Sequence, residues 1–211
     1  MSLYQPPHFR EDDPAALQRI MRAAHLPILV TTGVEGLIAT HMPLTYQPVP
    51  GQPGRLIGHL ARANPQWRHF DPAQEALAIF QAHEAYISPS WYEAKREHGK
   101  VVPTWNYEIV HATGRLEIIE DRQALLDIVT TLTDLHEQPR AAPWQVDDAP
   151  SAYIDSQLKG IVGIVLHISK LEGKRKLGQN RSLADRQGVI AGLTADGEAD
   201  MAALTQATLP A

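Results

Sequence analysis

Apolar residues along the chain fall mostly into short runs of strand length, separated by turns that contain proline, glycine or polar residues. The length and composition of PILVTT (27–32), LIATHMPL (37–44), RLIGHLA (55–61) and ALAIFQA (76–82) are typical of strands. TWNYEIVHATGRLEII (104–119) and IVGIVLHISKLE (161–172) predict longer strands, and Gly114 indicates a bulge or barrel corner in the first. The run QPVPGQPG (47–54) predicts a loop because of its prolines and glycines.

Helical spacing appears between these runs. Asp13 followed by Pro14 is typical of a helix N-terminus, and Asp121 predicts the cap of a second helix. Residues 151–158 predict a short helix, and Ser182 with Asp185 resembles a capping box that starts a final helix near Leu183. From Thr194 the tail is expected to be frayed or weakly helical. The apolar faces of the first two helices are Leu17, Ile20, Met21 and Ala24, and Leu125, Ile128, Val129, Leu132 and Leu135.

These strands and helices do not alternate as a βαβ series would. Closing about six strands into a barrel removes exposed edges and leaves the helices at the periphery. The pattern therefore predicts a mainly β (α+β) fold, a β-barrel with peripheral helices, as a single domain over 1–211.

Composition narrows the classes of partner. The chain has no cysteine, which excludes disulfides and suits a reducing cytoplasm, and no apolar run or secretory signal that would direct it to a membrane. Its net charge of −5 lacks the global basic excess of most nucleic-acid-binding proteins. A local basic cluster is the candidate contact for a polyanion, although a solvated loop explains it equally well: Lys170, Lys174, Arg175, Lys176 and Arg181.

The chain has no GxGxxG, Walker, HExxH or GxSxG motif, and its ten histidines are scattered without metal-ligand spacing. We therefore expect no metal site. Five aromatic residues crowd into Tyr86–Tyr107, and on a regular strand Trp105 and Tyr107 share one face while Asn106 lies on the other. Flat faces beside an amide suit a planar heterocycle, but an aromatic mini-core explains the pattern equally well.

Several long segments resemble the PaiB family, whose members are described as FMN-binding negative transcriptional regulators. The similarity runs in collinear order from about residue 4 to residue 193. It is carried by HFREDD, ATHMPL, GHLARANPQW, AYISPSWY, VPTWNYEIVHATG and KLEGKRKLGQNRSLADRQGVIAGL. The resemblance implies an FMN-binding split β-barrel, similar to the pyridoxamine-phosphate-oxidase fold, and a homodimer with FMN in the cleft between subunits.

The resemblance also implies roles for particular residues. The flavin phosphate is expected near His59, Arg62 and Asn64, and the isoalloxazine or ribityl chain near Thr40 and His41. The ring edge is expected beside Trp105, Asn106 and Tyr107, and the C-terminal segment closes the cleft with Lys174, Lys176, Gln179 and Asn180. Members of the family commonly have Trp at Arg175 and Ser at Gly178, so a stacking face and a hydroxyl are replaced here. The extra cation favours phosphate or another anion.

Three functions remain open at this point. The first is a flavin-binding regulator that acts on DNA directly or through a regulatory protein. The second is a flavin-dependent oxidoreductase that acts on NAD(P)H or a small molecule, since the cofactor itself carries the chemistry. The third is a haem-binding or haem-degrading role, because related split barrels bind haem.

Overall fold

The structure, a computed structural model, describes residues 3–210. Over these residues eight strands form one sheet, in which every pairing is antiparallel. The strands are β1 (Arg10–Glu11), β2 (Ile28–Gly33), β3 (Gly36–His41), β4 (Leu44–Val49), β5 (Gln52–Ala61), β6 (Ala76–Ile87), β7 (Thr104–Ile119) and β8 (Ile161–Lys176). The helices are α1 (Pro14–Ala23), α2 (Gln66–His69), α3 (Glu93–Glu97), α4 (Arg122–Glu137), α5 (Ser151–Leu158), α6 (Leu183–Ala195) and α7 (Ala199–Gln206).

The sheet runs in the order β3-β2-β6-β7-β8-β5-β4, and β1 pairs with β8. Leu29 of β2 and Leu44 of β4 come from opposite ends of this order, yet both belong to one buried core with Phe80 and Ile164. The sheet must therefore curl so that its ends face the same interior, with an opening between β3 and β4. This arrangement confirms the predicted split barrel.

The bulge predicted at Gly114 is present. The register between β7 and β8 shifts there, from Thr113 opposite Lys170 to Gly114 opposite Ile168. A Cβ at Gly114 would lie 2.0 Å from the carbonyl oxygen of His167, so only glycine allows the strands to approach this closely. The bulge lets two 16-residue strands follow the curvature of the barrel.

The predicted loop at 47–54 is instead a hairpin. Strand β4 continues to Val49 and β5 already begins at Gln52. The register between them shifts between Gln47 and Val49, around Pro48. Since β4 is the last strand of the sheet order, a proline in it removes no hydrogen bond to a further strand. Proline and glycine content was therefore a misleading sign of irregular structure at this margin of the sheet. The predictions also missed β1 and ended β6 and β8 too early.

The three helices with a predicted N-terminal cap begin directly after that cap. Asp13 accepts hydrogen bonds from the amides of Ala15 and Ala16, Asp121 accepts one from Ala124, and Ser182 accepts one from Asp185. Helix α1 contributes Leu17 and other apolar residues to the barrel core. Helix α4 packs its apolar face on the outer side of β5 and β8, where Ile128 and Leu132 meet Ile57 and Val165. None of the helices within 3–210 is both long and apolar enough to span a membrane.

A second apolar cluster joins the end of β6 to α6 and α7. It includes Tyr92, Leu177 and Leu193, with Trp91 packed against it. Trp91 fits closely on α6, because a Cβ at Gly188 would lie 2.0 Å from its carbonyl oxygen and one at Gly192 would lie 2.2 Å from its ring. The tail, expected to be frayed or weakly helical, contains α7, whose Met201 is buried in this cluster.

A buried carboxylate ties four elements together at one end of the barrel. Glu108 on β7 is fully buried, and Arg19 on α1 donates two hydrogen bonds to it, of 3.1 and 2.6 Å. Arg175 on β8 donates a third, of 2.7 Å, and also reaches Glu11 on β1 at 3.4 Å. Burial favours a raised pKa for Glu108, but the hydrogen bonds and charges of the two arginines outweigh it, so the pKa is lowered.

We expect Glu108→Gln to lower the free energy of unfolding by about 3 kcal/mol at pH 7, because it leaves two arginines without their buried counter-charge. Because the pKa of Glu108 is lower in the folded than in the unfolded protein, its ionised form stabilises the fold at pH values above the unfolded-state pKa. This stabilisation is lost as the pH falls through the folded-state pKa. Urea titrations should therefore show the full difference in the free energy of unfolding between variant and wild type at pH 7. This difference should shrink as the pH falls below the usual glutamate pKa of 4.5.

Glu117→Gln is the matched control, since Glu117 lies on the same strand with a half-exposed side chain bonded to His167. It should change stability by no more than about 1 kcal/mol. An equal loss of unfolding free energy in the two variants would contradict the role assigned to the ion pairs of Glu108. A loss in Glu108→Gln that does not depend on pH would contradict it as well.

Candidate functional site

One group of predicted site residues lies on the outer face of the sheet. Trp105 is half exposed and contacts the ring of Tyr86 edge-on, with ring centroids 5.9 Å apart. Tyr107 lies opposite Lys176, and Lys174 lies two pairs further along, opposite Ile109. Because paired residues point to the same side of a sheet, these aromatic and cationic side chains share one face.

The two lysines of this face have aromatic neighbours instead of carboxylates. The ammonium of Lys174 lies 5.2 Å from the ring centre of Tyr107 and 5.3 Å from that of Tyr4. Lys176 donates hydrogen bonds to the hydroxyl of Thr104 and the carbonyl of Trp105. Burial lowers the pKa of Lys176, and the charges of Lys174 and Arg181 lower it further. The outer face therefore offers flat rings beside positive charge, a combination suited to an aromatic anion.

A second group lies where β3 and β5 end. Asn64 donates a hydrogen bond of 3.0 Å to the hydroxyl of Thr40, and its own oxygen accepts one from the amide of Gln66. His41 is exposed on the other side of β3, because neighbouring residues of a strand point to opposite faces. Asn64 thus fixes the turn after β5 against the end of β3.

Arg62 follows β5 as predicted, but it has an acidic partner that the local sequence does not reveal. Its guanidinium bonds Glu120 at 2.6 Å and the carbonyl of Lys159 at 3.0 Å. An anion at this position must therefore share Arg62 with Glu120. His59 lies on the face of β5 that α4 covers, beside Leu132; burial lowers its pKa, and its Nδ1 has no partner within 3–210.

A third group lines a cavity of ≈ 180 Å³ between the ends of β7 and β8 and helices α6 and α7. Asn106, buried on the inner side of β7, lies in its wall together with Lys176 and Asn180. Two arginines that we did not predict as site residues, Arg181 and Arg186, complete its polar lining. Arg181 belongs to the basic cluster noted in the sequence, whereas no motif or charge pattern in the neighbouring sequence identifies Arg186 as a site residue.

The turn after β8 explains the remaining positions. Gln179 accepts a hydrogen bond from the amide of Leu177 and donates one to the carbonyl of Arg175, so both ends of its side chain serve the turn. Gly178 has a φ of +79°, a conformation that favours glycine over the serine common in the family. Arg175, expected to attract an anion, is held by Glu108 and Glu11 and is not available to one.

One protomer does not bring the first two groups together. Ala61, next to Arg62, pairs with Ile161 at the start of β8, whereas Lys174 and Lys176 lie at the strand's end. Thirteen residues separate Ile161 from Lys174, which is roughly 40 Å along the strand at about 3.3 Å per residue. A ligand that uses both groups therefore requires them from two different copies of the chain.

Each group suits one part of FMN. A phosphate requires cations and amide or hydroxyl donors, which Arg62, Asn64 and Thr40 supply, and the tricyclic ring requires flat faces, which Trp105 and Tyr107 supply. Lys174, placed over Tyr107, adds a positive charge beside the ring face. The residues present are compatible with the cofactor that the family resemblance implies.

Comparison with known proteins supports FMN as the cofactor of this family. Residues 3–170 match the family described as "Putative FMN-binding domain". The chain is 34% identical to the protease synthase and sporulation protein PAI 2 of Bacillus subtilis over 188 residues, which cover 89% of this chain and 87% of that protein.

Two solved structures share the fold at low identity. The FAD and haem binding protein of Mycobacterium smegmatis is 15% identical, with a TM-score of 0.59 over 87% of this chain and 80% of that one. The flavocytochrome Anf3 of Azotobacter vinelandii is 15% identical with a TM-score of 0.55, over 79% of this chain and 69% of that one. On its sequence match, its identity to PAI 2 and its split-barrel fold, the chain belongs to the PaiB family of FMN-binding domains.

Proposed function

We propose that this protein binds FMN in a cleft shared by two copies of the chain and acts as a regulator of gene expression. The observation that supports the shared cleft most directly is the separation of the predicted contacts. Arg62 and Asn64 lie at one end of β8, and Lys174 beside Tyr107 lies at the other. A two-fold axis would join one group from each chain and create two equivalent clefts.

An uncovered apolar strip on the sheet supports a second copy as the partner. Ile28 of β2 pairs with Ile79 of β6, Val30 pairs with Leu77, and all four are only partly buried. Ile79 in turn pairs with His111 of β7, which shares the outer face with Ile109 and Tyr107, so the strip lies on the same side of the sheet as the candidate ring-binding surface. A second copy packed on the strip would bury it and close the cleft in the same step.

Within the cleft, the chain's own residues would bind and orient the cofactor. We assign the phosphate to Arg62, with Asn64 and Thr40 as hydrogen-bonding neighbours, and the ring to Trp105 and Tyr107. Lys174 would stabilise negative charge on the flavin. Bound FMN supplies reversible electron transfer, and the protein supplies its position, its electrostatic surroundings and the exclusion of water.

We expect Arg62→Gln to weaken FMN binding by about 10- to 150-fold, the equivalent of one charge-assisted phosphate contact. Riboflavin, which lacks the phosphate, should bind both proteins equally. Equilibrium dialysis with flavin fluorescence measures both constants. Arg55→Gln is the matched control, because Arg55 is an exposed arginine of the same strand. An equal loss of riboflavin and FMN binding would remove Arg62 from the phosphate site.

We expect Ile79→Lys to convert a dimer into a monomer and to abolish FMN binding in the same variant, because a charge on the strip cannot be buried without a partner. Sedimentation velocity gives the mass, and the absorbance of the purified protein gives the flavin content. Leu135→Lys, on an exposed position of α4, should change neither. A monomer that retains FMN would contradict the shared cleft.

The regulatory role rests on family membership, since the B. subtilis relative is named as a sporulation protein. The charges of this chain favour action through a partner protein or ligand over direct contact with DNA. Of the basic cluster, Lys174 is buried and Arg175 is held in ion pairs, and the net charge is −5. Lys170 is also paired, with Glu172, and a protein of net negative charge is repelled by phosphate backbones.

The role can be tested in the organism that encodes the chain. Deleting the gene should raise a defined set of transcripts, and reintroducing the wild type should lower them again, whereas Ile79→Lys should not. RNA sequencing of the deletion and the complemented strains provides the measurement. An unchanged transcript profile after deletion would reject the regulatory role while leaving FMN binding to the purified protein intact.

A further inference from the structure

The cavity between the ends of β7 and β8 and helices α6 and α7 has its own binding chemistry. We infer that it is a site for a small organic acid, bound through its carboxylate. We call it the rear cavity; it is lined by Phe9, Tyr92, most residues of 102–106 and 176–181, and side chains from β6, α6 and α7. This inference goes beyond the FMN proposal and does not depend on it.

Among the residues that the structure describes, the lining of the rear cavity contains three cations and no carboxylate side chain. The cations are Lys176, Arg181 and Arg186. None of the three is within ion-pair distance of a carboxylate among residues 3–210. The guanidinium of Arg181 contacts Tyr92 and lies over its ring, 4.8 Å from the centre. Three cations brought together without a counter-charge favour the binding of an anion.

Two deeply buried groups in the wall have polar atoms without a partner. Arg186 is 8% exposed and Thr205 is 0% exposed, yet within 3–210 the Nε of the arginine and the Oγ1 of the threonine form no hydrogen bond. The other end of the Arg186 side chain binds Thr208, so its position is fixed. Buried polar groups are normally satisfied, so these two atoms are available to hydrogen-bond a molecule bound in the cavity.

The size of the cavity limits the ligand. At ≈ 180 Å³ the rear cavity is about six times the ~30 Å³ that one water molecule occupies in the liquid. It is smaller than the ~300–1,000 Å³ of sites for drug-sized ligands, so a tricyclic flavin ring does not fit inside it. A small acid of one ring or a short chain is of suitable size.

The apolar part of the wall distinguishes an organic acid from an inorganic anion. Ile87, Val102, Leu177 and Val189 also line the cavity. A hydrocarbon body would bury apolar surface there, which inorganic phosphate cannot do. The planar fork of Arg181 matches the two oxygens of a carboxylate. Together these features favour a carboxylate with an apolar body.

Titration calorimetry on the FMN-loaded protein tests the inference, with benzoate and butyrate as probes. We expect at least one of them to bind saturably, and benzyl alcohol, the neutral counterpart of benzoate, to bind at least tenfold more weakly. Arg181→Gln should weaken binding of the acid tenfold or more. Arg22→Gln, which removes the same charge from an exposed position of α1, should leave it unchanged.

Thr205→Val separates binding from folding. Because the hydroxyl of Thr205 has no partner, its removal should leave thermal stability unchanged or raised, while the affinity for the acid falls. No binding of either acid would overturn the inference. So would inorganic phosphate binding as tightly as benzoate, or loss of FMN from Arg181→Gln, because each would make the rear cavity a phosphate site instead.

Discussion

The antiparallel ladder between β7 and β8 is the constraint on which the candidate site depends. It runs from Tyr107 opposite Lys176 to Ile119 opposite Gly163, with one bulge at Gly114. Since alternate residues point to opposite sides, the ladder sends Tyr107, Lys174 and Lys176 outward and Glu108 and Arg175 inward. A slip of one residue would exchange the two sets, so the buried ion pairs fix the same register that positions the outer face.

Much of the fold could be predicted from local chemistry. The caps at Asp13, Asp121 and Ser182 act within three residues, and the bulge needs only a glycine in a long strand. The hairpin at 47–54 could not be read this way, because a proline is acceptable in a strand only when the strand lies at an edge. Whether a strand lies at the edge depends on the pairing of the whole sheet and cannot be predicted from the local sequence.

The site shows the same division between local and distant information. Alternation correctly separated Trp105 and Tyr107 from Asn106, since it requires only the strand period. The partners of Arg62 and Arg175 could not be predicted, because Glu120 and Glu108 are distant in sequence. Arg175 is instructive: the family resemblance implies tryptophan at this position, whereas this chain has a cation that neutralises a buried carboxylate. The departure from the family pattern is therefore a structural exchange and adds no charge to the ligand surface.

Pro48 has a consequence for how copies of the protein can meet. β4 ends the sheet, and its proline and adjoining irregular register interrupt the row of amide donors there. That margin is a poor template for an incoming strand, so open-ended edge-to-edge growth into fibres is disfavoured. Contact through self-complementary surfaces elsewhere on the molecule instead produces assemblies that close on themselves and stay finite.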